Sequence, residues 1–183
     1  MNTQINIAEN GTTTLATAGK YCDRNIDVVA NVPSYETELE EQKEITDSIL
    51  NREITEYVND TVTEIGLYAF VYCRSLTKIQ CNAVTRLANY AMRDCTALTE
   101  ARFNSLSKTI GNYVFYGCTA LVKLILGSST PCALANVNAL TGTHIANGTG
   151  YIYVPDNLVD SYKTATNWAT YADQIKPISE LEG

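Results

Sequence analysis

Cys73, Cys95 and Cys118 fall 22 and 23 residues apart, and a whole pattern travels with them. Leu76, Leu98 and Leu121 keep the same step, as do Tyr68, Tyr90 and Tyr113. Residues 62–81, 84–103 and 110–126 are therefore three copies of one unit. No single unit of this length can bury its own apolar face, so the copies must stack to be stable. The expected fold class is α+β, built on a short solenoid of about three coils of 22–23 residues with caps. A small β module and an acidic helix are expected to precede it.

Within each coil, Leu76, Ile79 and Cys81 are expected to point into a shared core, then Leu98, Ala101 and Phe103, then Leu121, Leu124 and Leu126. Phe70, Met92 and Phe115 fill that core from the return segment, and the three cysteines seal its corner. The segment Ile54-Thr55-Glu56-Tyr57 fits the first half of a further coil. The pattern I-G-x-Y-A-F-x-x-C-x-x-L-x-x-I-x-L over residues 54–126 closely resembles the BspA-like leucine-rich-repeat family. That resemblance implies coils made of a short strand plus a helical or irregular return. It also implies a bacterial surface adhesin or host-interaction protein.

Strand residues between the core positions should face outward. Lys78, Glu100 and Lys123 then form a ladder of alternating charge, and Gln80, Arg102 and Ile125 form the next. Opposite charges at strand spacing contribute about 0.2–1 kcal/mol each. Two readings stand: a solvated face that pairs with itself, or a binding surface of the kind solenoid sheets supply. Tyr72 and Tyr116 lie outside the core frame and join the candidate face, because tyrosine makes contact area at modest entropy cost.

Beyond Leu126 the frame degrades, so residues 127–183 are expected to hold a degenerate coil and a C-terminal cap. Gly127-Ser128-Ser129-Thr130-Pro131 and Asn147-Gly148-Thr149-Gly150 are turn clusters. Between them, residues 133–145 keep an apolar rhythm without the cysteines. Tyr151-Ile152-Tyr153-Val154 reads as a strand stopped by Pro155, and Asp156 or Asn157 as the cap of a helix carrying Leu158, Val159, Tyr162 and Ala165. The phrase from Tyr153 to Trp168 resembles the terminal cap of many BspA-like proteins, with Trp168 covering the last coil.

Residues 1–33 read as a small β module that anchors the chain. Ile5 and Ile7 alternate with polar residues, Asn10-Gly11 suits a tight hairpin turn, and residues 12–17 can return as a strand. Ile26, Val28, Ala30 and Val32 alternate again before Pro33. The phrase Glu9-Asn10-Gly11-Thr12…Thr17-Ala18-Gly19-Lys20-Tyr21…Ile26-Asp27-Val28 resembles segments of bacteriophage tail and other structural proteins. Residues 34–53 change character. Ser34 can cap a helix with Glu36, Glu38, Glu40 and Glu41 near its positive end. Tyr35, Leu39, Gln42, Thr46 and Ile49 fall at a/d-like spacing along a helix about 25 Å long. This helix is either a cap on the solenoid or a short oligomerising stalk, with a trimer favoured.

Thirteen Lys and Arg against twenty Asp and Glu give a net charge of −7. That balance argues against a nucleic-acid binder or a polybasic membrane binder, both of which need a cationic face. No apolar run approaches the roughly 18 residues of a spanning helix, so no membrane insertion is expected. The first residues lack the basic and apolar regions of a secretory signal, so export by that route is not expected. The six cysteines include no C-x-x-C pair and read as small buried hydrophobes. His144 is the single histidine and lacks a positioned partner in sequence, so it reads as a loop residue. The Asn-x-Thr triplets at Asn10, Asn59 and Asn147 are expected by chance in a chain rich in both residues. No P-loop, G-x-S-x-G or dinucleotide fingerprint appears. No catalytic residue, metal or cofactor is therefore expected.

Taken together, the sequence points to a non-enzymatic bacteriophage virion protein, a fibre, tail or capsid decoration assembled in the host cytoplasm. Residues 1–50 would contact other virion subunits, and the repeat head would meet a host-surface protein or glycan. The alternative is a BspA-like adhesin at the bacterial cell surface. A hydrolase using His144 or a cysteine is the third reading; it requires activity that His144→Ala or thiol alkylation removes.

Overall fold

The structure, a computed structural model, describes residues 14–15 and 54–181. Eleven short strands are seen among them: β1 (Thr14–Leu15), β2 (Glu56–Val58), β3 (Glu64–Ile65), β4 (Lys78–Gln80), β5 (Arg86–Leu87), β6 (Glu100–Phe103), β7 (Thr109–Ile110), β8 (Lys123–Leu126), β9 (Ala133–Leu134), β10 (Tyr151–Val154) and β11 (Ile175–Pro177). One short helix, α1 (Val159–Thr164), lies near the C-terminus. The strands form two wholly parallel sheets. The larger runs β2-β4-β6-β8-β10-β11 and the smaller β1-β3-β5-β7-β9. Each coil gives one strand to each sheet, so the chain winds as a solenoid.

The register follows the repeat. Lys78 pairs with Glu56 and Glu100, and Glu100 with Lys123. Inward positions alternate with outward ones along each strand, as the period of two demands. Leu76, Ile79, Cys81, Leu98, Ala101, Phe103, Leu121, Leu124 and Leu126 are all fully buried in one core, with Phe70, Met92 and Phe115 packed from the return side.

The returns are as regular as the strands. Tyr68, Tyr90 and Tyr113 sit at φ near +58°, and four residues on Tyr72, Asp94 and Gly117 are left-handed too, at φ 60°, 58° and 73°. A residue with a side chain loses about 1–2 kcal/mol in this left-handed region. Coil-to-coil hydrogen bonds offset that cost: Phe70 N donates to Ala91 O (2.7 Å), Tyr90 N to Asn112 O (2.9 Å), Asp94 N to Tyr116 O (2.7 Å) and Phe115 N to Ala139 O (2.8 Å). The Tyr68, Tyr90 and Tyr113 rings also stack, with centroids 5.1 and 5.2 Å apart.

Side chains repeat the ladder at the corners. Thr77 and Thr99 hydroxyls donate to the carbonyls of Thr55 and Thr77. Asn104 donates to Asn82, and Asn82 to Asp60. Inside, the Cys95 thiol donates to Phe70 O and the Cys118 thiol to Met92 O (2.9 and 3.1 Å). Cysteine at this corner is thus a small core residue that also satisfies a buried carbonyl of the preceding coil. Cys73 departs from the expectation of a free thiol: it is buried but disulfide-bonded.

Stacking continues past Leu126. Cys132 and Leu134 are buried at β9, and Ala139, Leu140 and Ile145 carry the core onward to Ile152 and Val154 of β10. The cysteine frame is lost there because Cys132 lies beside the smaller sheet instead of at the corner. Residues 156–181 then turn back over the end. Trp168 is fully buried and donates through Nε1 to Cys132 O (2.8 Å), edge-on to Tyr162. The Tyr162 hydroxyl accepts from Cys132 N (3.1 Å), and Tyr171 donates to Val137 O (2.7 Å).

The helix start differs from expectation. Residues 156–158 form a 3-10 turn, and no side chain caps α1. The Asp156 carboxylate instead accepts from Ser179 N (3.2 Å), holding the final turn. Those hydrogen bonds keep its pKa below the ordinary value. Its contribution is therefore present above the unfolded pKa and lost as pH falls through the lower folded one. Protection of the Ser179 amide, relative to its intrinsic exchange rate at each pH, is expected to be lost in acid before that of Ile152, and simultaneous loss would disprove the local latch. The expected hairpin of residues 1–33 and helix of 34–50 lie outside the described residues. Thr14–Leu15 alone is seen, paired in parallel with Glu64–Ile65.

Candidate functional site

The outer face of the larger sheet carries two rows of side chains in register. Glu56, Lys78, Glu100, Lys123 and Tyr151 make one, and Val58, Gln80, Arg102, Ile125, Tyr153 and Lys176 the other. Lys78 Nζ lies 4.0 Å from Glu56 and 3.8 Å from Glu100, so the N-terminal half of the first row pairs with itself. These are half-exposed ion pairs, worth at most about 1 kcal/mol each. Toward the C-terminus the face turns aromatic and cationic. Tyr151 and Tyr153 meet edge to face, and Lys176 Nζ sits 5.8 Å from the Tyr151 ring centre while also pairing with Glu180 (3.4 Å).

Five of the expected face residues, Lys78, Gln80, Glu100, Arg102 and Lys123, stand on this surface. Ile125 does not offer itself there: it is 1% exposed, though outside the central core. Its partners in register are Arg102 and Tyr153, longer side chains that flank a branched aliphatic one. Burying an aliphatic between such stems is the favourable arrangement.

Tyr72 and Tyr116 belong elsewhere. Both lie on the return segments, at different positions of the coil: Tyr72 aligns with Asp94 and Gly117, Tyr116 with Val71 and Arg93. They border a second surface of tyrosine and arginine. Arg74 lies 5.3 Å from the Tyr72 ring centre. Arg93 lies 5.3 Å from that of Tyr116 and 5.8 Å from that of Tyr90, and its Nε donates to Asp94 (3.0 Å). The structure thus divides the expected site into two faces. Glu56, Val58, Tyr151, Tyr153 and Lys176 are members of the sheet face that the repeat frame alone did not reveal. Tyr151-Ile152-Tyr153-Val154 alternates as Glu100-Ala101-Arg102-Phe103 does, and that match is the signal in the sequence.

His144 is half-buried in a loop, its Nδ1 2.7 Å from the Thr149 hydroxyl. Cys81, Cys95, Cys118 and Cys132 are buried free thiols. Burial pushes Cys81 up to about 12 and Cys132 up to about 11, and raises Cys118 as well. A nucleophilic cysteine requires the reverse, a lowered pKa and access. Ellman's reagent is expected to leave these four unmodified in the native protein and to titrate them after unfolding. Fast native labelling of any of them would overturn their placement. Among the described residues no group of His, Cys, Asp and Glu is arranged to hold a metal ion, and no helix is long and apolar enough to cross a membrane.

Charge is unevenly shared along the chain. Residues 54–181 carry nine basic and nine acidic side chains, so the net −7 arises from the rest. No curated protein matches the sequence. The sequence does match the BspA type leucine rich repeat region, in 6 copies, over residues 47–154. The match begins before Ile54 and runs through β10, further in both directions than the cysteine frame, and stops short of residues 9–28. With its period, paired parallel sheets and corner thiols accounted for, the chain belongs to the BspA-type leucine-rich-repeat family.

Proposed function

We propose that the chain is a non-enzymatic attachment module whose solenoid head presents the outer face of the larger sheet to a protein or glycan on a cell surface. The observation that carries this reading is the face itself: Gln80, Arg102, Lys123, Tyr151 and Tyr153 aligned on consecutive parallel strands. The strands fix their spacing before any partner arrives, which lowers the ordering cost of binding. Tyrosine and arginine are the residue types that dominate contact energy at interfaces. Residues 156–181 serve as the terminal cap, and contacts to other subunits of a larger assembly, as a homo-oligomer, come from within residues 1–50.

The likeness of Glu9 to Val28 to bacteriophage structural proteins supports a virion as that assembly; family membership supports a bacterial surface. Quantitative mass spectrometry of purified particles, cell surface and cytosol distinguishes them. Stoichiometric recovery with particles is expected. Recovery on the cell surface alone would transfer the same module to an adhesin. Binding of the labelled protein to target cells is expected to fall at least about 10-fold in Arg102→Glu/Lys123→Glu, both outward and outside the core. Unchanged binding by that folded variant would remove the sheet face from the site.

A further inference from the structure

The outer face of the larger sheet is a narrow strip. Its strands turn alternate residues outward, two at most, so the face is about 7 Å wide and grows by about 4.8 Å per strand. The strip covers roughly 200 Å², far below the ~800 Å² per partner of a stable protein interface. An extended polymer laid across the strands fits it better. Sheets hold extended peptides by pairing at an edge, and a face offers no such pairing. A chain of sugar rings carries its own hydroxyls and needs only side chains.

Charge separates the two ends of the strip. Toward the N-terminus, Lys78 holds both Glu56 (4.0 Å) and Glu100 (3.8 Å). The Glu100 carboxylate therefore lies on Lys78 and not on Lys123, its other partner in register. Lys123 is exposed, and Arg102 stands half-exposed on the neighbouring strand. On β10, Tyr151 lies opposite Lys123, and Tyr153 flanks the buried Ile125 across from Arg102. Lys176 approaches the Tyr151 ring from β11 (5.8 Å), so β8 with Lys123 lies on the other flank. Tyr151 is 39% exposed, enough to present its ring. Two cations and two tyrosines thus meet at the C-terminal end.

The C–H-bearing face of a pyranose is apolar and packs on an aromatic ring, whose own face is negative. In a uronic acid the carboxylate is carried on the ring itself, so one sugar residue can span Tyr151 and Lys123. In a phosphate-linked polymer the charge lies between the sugars instead. We infer that the C-terminal end of the strip binds a polysaccharide of uronic acid residues, an inference that rests on the sheet face being the attachment surface. Tyr151 carries one sugar ring, Lys123 takes the carboxylate of that residue, and the planar fork of Arg102 takes the next. The polymer runs across the strands from β10 toward β6.

Heteronuclear NMR of the full chain with tetragalacturonate, and with the same oligomer methyl-esterified, tests this. Amide shifts at Arg102, Lys123, Tyr151 and Tyr153 are expected with the acid and absent with the ester. Lys123→Gln and Arg102→Gln are each expected to weaken binding about 10-fold, the loss of one charge-assisted contact. A capped tetraglutamate of equal charge is expected to bind more weakly, and Tyr151→Ala to weaken the uronate alone. No binding of the acid, shifts confined to other residues, or equal binding of the ester would overturn the inference. Equal binding of tetraglutamate would overturn it too, by assigning the strip to an acidic protein segment. Cell binding by Arg102→Glu/Lys123→Glu keeps the two readings apart. If cell binding needs these residues and the uronate does not bind, the uronate falls and the face stands. If the uronate binds as expected and cell binding is unchanged, the sugar site stands and the face is not what attaches the protein to cells.

Discussion

Trp168→Ala is expected to lower the unfolding free energy by about 3–5 kcal/mol, the range for emptying a large aromatic site. The indole is fully buried, and its Nε1 also satisfies the Cys132 carbonyl. Truncation therefore leaves both a cavity and a dry acceptor. In a solenoid each coil is supported by its neighbours alone, so loss at the end strips the coil beneath it. Trp168→Phe separates the two contributions: it keeps most of the packing, drops the hydrogen bond, and is expected to cost about 1–2 kcal/mol beyond any void. Urea titration followed by far-UV circular dichroism reads both variants, since the protein has a single Trp. An Ala variant within about 1 kcal/mol of the parent would show that residues 156–181 do not hold the last coils, contrary to the buried contacts of Tyr162, Trp168 and Tyr171.

The second large effect is expected from adding a single carbon. A Cβ on Gly111 would sit 2.7 Å from Asn89 N and 2.8 Å from Ala88 C, backbone atoms of the adjacent coil. Relief requires the coils to separate, yet Gly111 N is bonded to Leu87 O and Ala88 N to Ile65 O, both at 2.9 Å. Gly111→Ala is therefore expected to destabilise by about 3 kcal/mol, the upper end for overpacking. The equivalent residue one coil earlier is already an alanine, Ala88, so the restriction belongs to one interface of the stack and not to the repeat as such. Gly148→Ala is the comparison. Its nearest neighbour would lie 3.9 Å away, leaving only the cost of its left-handed backbone, about 1–2 kcal/mol. Equal melting temperatures for the two variants would contradict the close approach at Gly111.

Much of this architecture is readable from the chain because a repeat reports the same position several times. One buried leucine is ambiguous, whereas Leu76, Leu98 and Leu121 in step identify an inward position. The reading failed where a position is decided by neighbours outside its own coil. Ile125 follows the outward frame of Gln80 and Arg102, yet it is buried between its register partners Arg102 and Tyr153 on the neighbouring strands. Cys132 lies off the cysteine frame, so its coil reads as degenerate, although Ile152 and Val154 supply the same inward pair as Leu124 and Leu126. The smaller sheet was not foreseen. Its five described strands are all two residues long, too short to show any alternation. Tyr72 and Tyr116 were grouped by residue type when their places in the coil differ by one. A solenoid is legible along each column and much less so across them.

The charge row on the larger sheet bears on how such a chain can lengthen or shorten over generations. Glu56, Lys78, Glu100 and Lys123 alternate strictly in sign from strand to strand. Loss of one coil, for instance residues 78–99, would set Glu56 directly beside Glu100, and like charges so placed repel. Duplication of one coil would double a lysine or a glutamate in the same way. Gain or loss of two coils preserves the alternation. Within Glu56 to Lys123, a change by two coils therefore keeps opposite charges side by side, a parity set by the side chains of a single row.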